Sequence, residues 1–451
     1  YPLGLNIVDN TSMYTSWEDM AIVLAGPRSG KSLCYAIPAV LSAPGPCLAT
    51  SNKGDILDVT APIRRLDHPN GRIWTFDPER IADPNRKSAP WVWDLIASVQ
   101  SIADAKRIAD CWRYASGQPQ TGGDDFFPGT AAQQLADYLF AAHLGGRSVS
   151  DVFRWCSNER DTSPADILSE YPRYAGIASR VSSVIALTPE TRSGVFGSLQ
   201  TMVAFLADPE IIDWIDPHRD TEGNIDERRG LFDPYEFATS EDTLYLLSAQ
   251  GRPSTALTAS LTAVVAFTAF QRAQSEFADN NRRLPVPLCC VLDEAANICR
   301  WPELADVYSY FGSAGIPIMT IWQNPDQGKA AFGETNFGSL FNNANITVYL
   351  GGIKDAKFLG EISQLVGQRE IVRGSVNIDG TGRRSVNNSI QKENILDVSD
   401  LTEWPVGRAL LLASQSRAQI VKTLPWTGNR QWADALTQAK AKARDEQRKA
   451  A

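Results

Sequence analysis

The sequence predicts an α/β fold built on a mainly parallel, doubly wound sheet, with an all-helical segment set into it. Three observations lead there. Short apolar runs recur at 21–25, 47–50, 72–76, 243–247, 288–292, 318–322, 346–350 and 409–413, with helix-patterned stretches between them. Several of these runs are apolar throughout instead of alternating, the pattern of strands covered on both faces. The alternation then fails between 76 and 243, where helical periodicity alone is found.

Each element follows in order. The runs at 21–25, 47–50 and 72–76 give the first part of the core, residues 1–95. Ile102, Ala105, Ile108, Ala109 and Trp112 then fall on one helical face, as do Leu135, Tyr138, Leu139 and Ala142. Further helical stretches cover 165–169 and 177–187. These define an all-helical insertion over 96–216. The polar stretch 217–229 reads as the return linker. Residues 217–451 complete the core and end in a run from Gln431 rich in Ala, Lys, Arg, Glu and Gln, which reads as an exposed helix that frays.

Composition bounds the function. The 451 residues are 43% hydrophobic and 21% charged, values of a folded chain long enough for two or three domains. The net charge of −9 argues against a protein that coats DNA with a broad basic face, so nucleic-acid contact is expected to be local, as in a channel lining. The seven cysteines are scattered without a CxxC pair and the three histidines lie far apart, which speaks against a zinc site and a disulfide framework. Reduced buried thiols in a cytosolic compartment are the expectation. No apolar run reaches the ~18 residues that span a bilayer. The chain begins at Tyr1 without a methionine, so an upstream segment is expected to have been trimmed, with room for a membrane anchor there.

The chemistry is carried by two motifs. Ile22-Val-Leu-Ala-Gly-Pro-Arg-Ser-Gly-Lys-Ser32 is a strand, a turn of small residues and a helix start. It fits the looser phosphate-binding pattern A/G-x-x-x-x-G-K-S/T, with Ala25 at the first position and Gly26 one place later. Backbone N–H groups from Gly26, Pro27, Arg28, Ser29 and Gly30 through Lys31, Ser32 and Leu33 must close on an anion, so glycine is needed where φ is unusual or approach is close. The helix directs its positive end at the phosphates. Lys31 is placed to reach the β and γ phosphates, and the Ser32 hydroxyl to ligate magnesium. The second motif, Pro287-Leu-Cys-Cys-Val-Leu-Asp-Glu294, is an apolar strand ending in two carboxylates. Asp293 is assigned to the magnesium and Glu294 to the attacking water. A third strand, Ile316-Pro-Ile-Met-Thr-Ile-Trp-Gln323, ends in a glutamine placed to sense the γ phosphate, as in RecA-like ATPases. The expected fold is thus a RecA-like P-loop NTPase core, the expected cofactors are ATP and Mg2+, and the catalytic set is Lys31, Glu294 and Gln323.

The order and spacing of motifs also resemble a family, the conjugative coupling ATPases of the TraG/TraD type. The resemblance rests on Gly26-Pro-Arg-Ser-Gly-Lys-Ser, Ile37-Pro38, Ser51-Asn-Lys-Gly-Asp55, Phe76-Asp-Pro78, Asp293-Glu-Ala-Ala-Asn297, and Asn345-Ile-Thr-Val-Tyr-Leu-Gly-Gly352 with Asp355, Ile362-Ser363 and Gly367. It covers roughly residues 15–415. It implies a hexameric ATPase, anchored at the cytoplasmic face of the bacterial inner membrane by the missing N-terminal segment and a monomer without it. Such a protein brings a relaxase-bound DNA strand, or protein effectors, to a type IV secretion channel. The insertion inherits the role of recruiting substrate. One departure stands out. Many members carry an arginine shortly before the glutamine strand that acts on a neighbour's ATP, whereas no arginine lies between Arg300 and Arg369 here. Arg300, Arg252 or Arg369 supplies it, or the enzyme is slow.

Two further features leave alternatives. The polar stretch with Arg369, Arg373, Arg383, Arg384 and Lys392 around a turn at 379–382 lines a channel, touches a neighbouring subunit, or is an exposed hairpin. Trp301 and Trp322 stack on bases or belong to the core. The competing functions are an ATPase for protein effectors only, a non-catalytic nucleotide-binding scaffold, and a metabolic kinase, which the large insertion does not suit.

Overall fold

The computed structural model describes all residues except 119–124, 218–228, 253, 379–383 and 451. Its centre is an 11-stranded sheet. Ile346–Tyr349, Ala21–Leu24, Ile318–Trp322, Cys289–Leu292, Cys47–Ser51, Thr243–Leu247 and Ile73–Phe76 lie side by side in that order and run parallel. Every residue of the first six is buried, which is why they read as unbroken apolar runs. The sheet continues past Ile346–Tyr349 through Arg408–Ala413, Gln419–Lys422, Pro2–Asn6 and Ser12–Tyr14, all antiparallel.

The chain order places a crevice. Ala21–Leu24 leads to Cys47–Ser51, and Ile318–Trp322 and Cys289–Leu292 later fill the gap between them. The sequence thus leaves in one direction from Ala21–Leu24 and returns on its other side at Ile346–Tyr349. In an open α/β sheet, loops diverge at such a switch point and leave a site beyond the carboxyl ends of the strands.

The eight expected strands are present, their ends moved by a residue or so. Three more escaped the sequence reading. Pro2–Asn6, Ser12–Tyr14 and Gln419–Lys422 are short, partly exposed and at one side of the sheet, so they carry no apolar run. At Gly4, with φ +142°, a Cβ would stand 2.6 Å from the carbonyl oxygen of Lys422, so the close pairing there depends on glycine.

The insertion is built of helices from Ile102–Ala115 to Pro209–Ile215. Phe126–Leu144 runs through its middle and is buried along most of its length from Ala131 onward. The expectation of no strand between 76 and 243 is corrected at both ends of this unit. Trp91–Trp93 and Gly230–Phe232 pair in parallel as a separate two-stranded sheet. Three residues are too few to show a period, so aromatic content was their one signal. Trp91 packs edge-on against Trp74 and Trp214, with ring centroids 5.6 and 5.1 Å away, and Phe232 stands 5.4 Å off. Together with the Arg229–Asp213 ion pair, this cluster ties the entry and exit of the insertion to the core.

Two other expectations change. The C-terminal helix Arg430–Ala450 is not simply a solvated tail: Leu436 is buried, and with Trp432 and Ala435 it joins the core cluster beneath helix Asp55–Asp67. Helix Ser254–Ser275 is long and apolar enough to cross a membrane by length and composition, yet 78% of its apolar window is buried within the fold, as in a core helix.

Candidate nucleotide site

The site is assembled at the carboxyl ends of three neighbouring strands. Ala21–Leu24 enters a loop over residues 25–31 that continues into a helix over Ser32–Ser42. The first turn of that helix is wide: the Ile37 N–H donates to the Ser32 carbonyl, five residues back. Arg28 and Gly30 take positive φ, 61° and 86°, turning the loop back on itself. The loop crest is open, with Pro27, Arg28 and Leu33 exposed.

The loop's base is tied to the neighbouring strand ends by backbone hydrogen bonds. The Ala25 N–H donates to the Trp322 carbonyl and the Gly26 N–H to the Gly351 carbonyl, each at 2.9 Å. A Cβ on Gly26 would stand 2.3 Å from the Gly352 carbonyl oxygen. This explains the order of residues at the start of the motif. Ala25 lies in the buried strand end, where a methyl group fits. Gly26 is the position pressed against Gly351 and Gly352, both with positive φ.

Cys289–Leu292 delivers Asp293 and Glu294, which are 3% and 4% exposed. Lys31 Nζ lies 3.3 Å from Asp293 Oδ1 and contacts Glu294 Oε1 as well. Ser32 Oγ lies 3.4 Å from Asp293 Oδ2. Glu294 Oε1 also accepts from Gln323 Nε2, and Oε2 accepts from Asn297 Nδ2 at 2.9 Å. Thr50 Oγ1, on the next strand, donates to the Asp293 carbonyl at 2.9 Å and fixes that strand end. Burial pushes the Asp293 carboxyl up to about 6, against the pull of Lys31 and with the push of Glu294. Glu294 itself has left-handed backbone, φ 56°. Strain of that kind in a non-glycine residue costs on the order of 1 kcal/mol and clusters at functional positions.

The residues singled out from the sequence therefore meet: Lys31, Ser32, Asp293, Glu294 and Gln323 form one hydrogen-bonded group. Asp55 begins the helix Asp55–Asp67 nearby, close enough to push Asp293 upward. Lys53 is exposed at the turn before it. Trp301 and Trp322 are fully buried, so the base-stacking option is closed and both belong to the core. Of the three arginines considered for action on a neighbour, Arg252 and Arg369 are exposed. Arg300 donates within its own chain to the carbonyls of Ala296 and Tyr114. The stretch around Arg369 and Arg373 is a hairpin of Gln368–Ile378 with Arg384–Asn394, and its turn with Arg383 lies outside the described residues.

Two polar groups that hold loops or site residues had no assigned role in the sequence. Asn297 is one. The other is Glu79, whose carboxylate accepts from the Ala249 N–H and Ser254 Oγ and thereby holds the loop that carries Arg252. Each is a lone polar residue, and only contact with a recognised element marks it.

Comparison with known proteins places the fold. Residues 287–406 match the family model described as the TraM recognition site of TraD and TraG. No curated protein matches the sequence. The chain is similar in structure to the bacterial conjugative coupling protein TrwBdeltaN70 in its trigonal form with sulphate, at 15% identity and a TM-score of 0.65, over 93% of this chain and 89% of that one. It is likewise similar to the plasmid coupling protein TrwB in complex with ADP and Mg2+, at 15% identity and a TM-score of 0.63, over 94% and 89%. VirB4 of Thermoanaerobacter pseudethanolicus aligns over 94% and 96% at 12% identity with a TM-score of 0.50. The resemblance to the TraG/TraD type carried by the motifs thus stands on a family model and on a shared fold.

Proposed function

We propose that this chain is the ATP-hydrolysing motor of a coupling protein that recruits a relaxase-bound single strand of DNA and drives it into a type IV secretion or conjugation channel. The observation that carries the reading is the convergence of Lys31, Ser32, Asp293, Glu294 and Gln323 beyond the ends of three neighbouring parallel strands. The likeness to TrwB, whose structures include one with ADP and Mg2+, supports it.

In this reading Lys31 leaves the carboxylates for the β and γ phosphates, and the backbone from Gly26 to Leu33 closes on them. Ser32 and Asp293 would hold magnesium, which would supply charge neutralisation at the phosphates; Ser32 Oγ lies 3.4 Å from Asp293 Oδ2. Glu294 orients the attacking water and takes its proton. Gln323, freed from Glu294, reports the γ phosphate. Residues 1–95 and 217–451 form the nucleotide-binding domain, and the insertion 96–216 receives the substrate. The working form is a hexamer at the cytoplasmic face of the inner membrane, completed by an arginine from the neighbouring subunit.

The test is ATP hydrolysis against protein concentration, with and without single-stranded DNA, beside Lys31→Ala. Activity that rises faster than linearly, increases with DNA and vanishes in the variant supports the reading. Linear, DNA-indifferent activity lost in the variant favours protein substrates. Nucleotide binding without hydrolysis at any concentration overturns the catalytic assignment.

A further inference from the structure

Glu294 is held from two sides, and the two sides differ in kind. Both partners of Oε1, Lys31 and Gln323, belong to groups that the proposed reaction requires elsewhere: Lys31 at the phosphates, Gln323 at the γ position. Oε2 has a different partner, Asn297 Nδ2 at 2.9 Å. A carboxylate has no proton to give, so the Asn297 amide must present its N–H2 side to it. Asn297 is partly buried and has no other side-chain bond among the described residues.

The local backbone is arranged to make that contact. Glu294 caps the short helix Ala295–Ile298 in a left-handed conformation, and the N–H groups of Asn297 and Ile298 both donate to its carbonyl, at 2.8 and 3.1 Å. Asn297 therefore sits one turn after Glu294, with its side chain directed back. A three-residue spacing and a short amide suit this reach. Glutamine would overshoot by a methylene. Aspartate would have the same shape but place a second negative charge against the first.

We infer that Asn297 is the positioning residue for Glu294, holding Oε2 fixed so that Oε1 is aimed at the attacking water once Lys31 and Gln323 let go. The inference rests on the role proposed for Glu294. Without Asn297 the glutamate, released by its other two partners, samples several rotamers in the cycle step that needs one. The loss falls on the chemical step and leaves nucleotide binding, which runs through Lys31 and the loop, intact.

The test compares Asn297→Ala, Asn297→Asp and Glu294→Gln, singly and combined, in the whole chain. Four quantities are read: kcat, the affinity for a fluorescent non-hydrolysable ATP analogue, the melting temperature, and hydrogen exchange over 293–299. A hydrogen bond to a charged group corresponds to roughly tenfold to a hundredfold, so Asn297→Ala lowers kcat by that factor, with analogue affinity changed less than about twofold. Asn297→Asp, which keeps the shape and reverses the donor, lowers kcat further. Adding Asn297→Ala to Glu294→Gln lowers kcat no more than Glu294→Gln alone. In the nucleotide-free protein, hydrogen exchange in Asn297→Ala rises over 293–299 while the melting temperature holds. Full additivity of the two losses, or an Asn297→Asp variant as active as wild type, overturns the inference. If Glu294→Gln leaves kcat unchanged, the role of Glu294 has failed instead, and Asn297 with it. Where turnover is too slow to divide further, unchanged exchange over 293–299 in Asn297→Ala overturns the tether on its own.

Discussion

Gly26→Ala separates a loop that is merely glycine-rich from one that needs glycine at one position. The added methyl carbon would stand 2.3 Å from the Gly352 carbonyl oxygen, 2.6 Å from its carbon and 2.7 Å from its Cα. All three are backbone atoms, so no side chain can swing away. Restoring ordinary contact at about 3.4 Å requires the loop and the segment 351–352 to part by about 1 Å. That movement breaks the 2.9 Å bond from the Gly26 N–H to the Gly351 carbonyl, which joins the loop to the neighbouring strand end. Overpacking of this kind costs about 1–3 kcal/mol in stability, and a displacement near 1 Å at a reacting site costs about a hundredfold in rate. The assay is titration with a fluorescent ADP analogue and magnesium, with the melting temperature measured in parallel. Affinity is expected to fall at least tenfold and the melting temperature by a few degrees. A control, Gly30→Ala, tests the other kind of demand: its Cβ has room, 3.6 Å from Cys34 Sγ, but its φ of 86° strains any side chain. If Gly26→Ala binds as wild type and melts as wild type, the packing argument for this glycine is wrong.

Further expectations follow from buried charge. The Asp293 carboxyl is pushed up to about 6, mainly by burial, so its neutral form is favoured in the folded chain relative to the unfolded one. The nucleotide-free protein should therefore lose part of its stability as pH rises from about 4 to 6, while magnesium-dependent nucleotide affinity should fall as pH drops below about 6; melting curves and binding titrations over about pH 4–8 read both signs. Arg64 is 1% exposed, and its guanidinium donates to the carbonyls of Ala43 and Gly45 and to Thr243 Oγ1. Arg64→Met orphans these acceptors at about 1–3 kcal/mol each, lowering the melting temperature by several degrees without changing nucleotide affinity. Arg107, on the first helix of the insertion, pairs with Asp104 and Glu303 at 2.9 Å and stacks over Phe267. Arg107→Ala should cost about 2–4 kcal/mol by chemical denaturation, because a largely buried carboxylate and an aromatic face lose their partner together.

The core was legible because its strands are buried on both faces, and burial writes itself as uninterrupted apolar runs. The convergence of the loop after Ala21–Leu24 with the Asp293-Glu294 pair was legible because the residue types and spacing that phosphate and metal chemistry would demand stand out in a sequence. What escaped is governed by other forces. Trp91–Trp93 and Gly230–Phe232 pair across the whole insertion, a contact with no local period. Pro2–Asn6 joins the sheet beside Gln419–Lys422, from the opposite end of the chain, and only the close approach at Gly4 hints at it. Leu436 looked like one apolar residue in a charged tail because the surface it covers, helix Asp55–Asp67, lies far away in sequence. Asn297 was visible as a letter in a motif, but its bond to Glu294 depends on a left-handed residue that no periodicity announces.

The resting contacts at the site also bear on how its parts are coupled. Lys31 is the counter-charge of two carboxylates that are 3% and 4% exposed. In the proposed cycle Lys31 moves to the phosphates and takes that counter-charge with it. Two neighbouring buried anions without a cation are costly, so the move is favourable only if a second positive charge arrives or one carboxyl takes up a proton. A divalent cation held by Ser32 and Asp293 would meet the first condition, and the burial that pushes the Asp293 carboxyl up favours the second. Nucleotide and magnesium would then bind as a linked pair, each making the other's site less unfavourable. In that cycle the same linkage would take Lys31 from Oε1 of Glu294 only when both are present, and until then Oε1 stays engaged by Lys31 and Gln323.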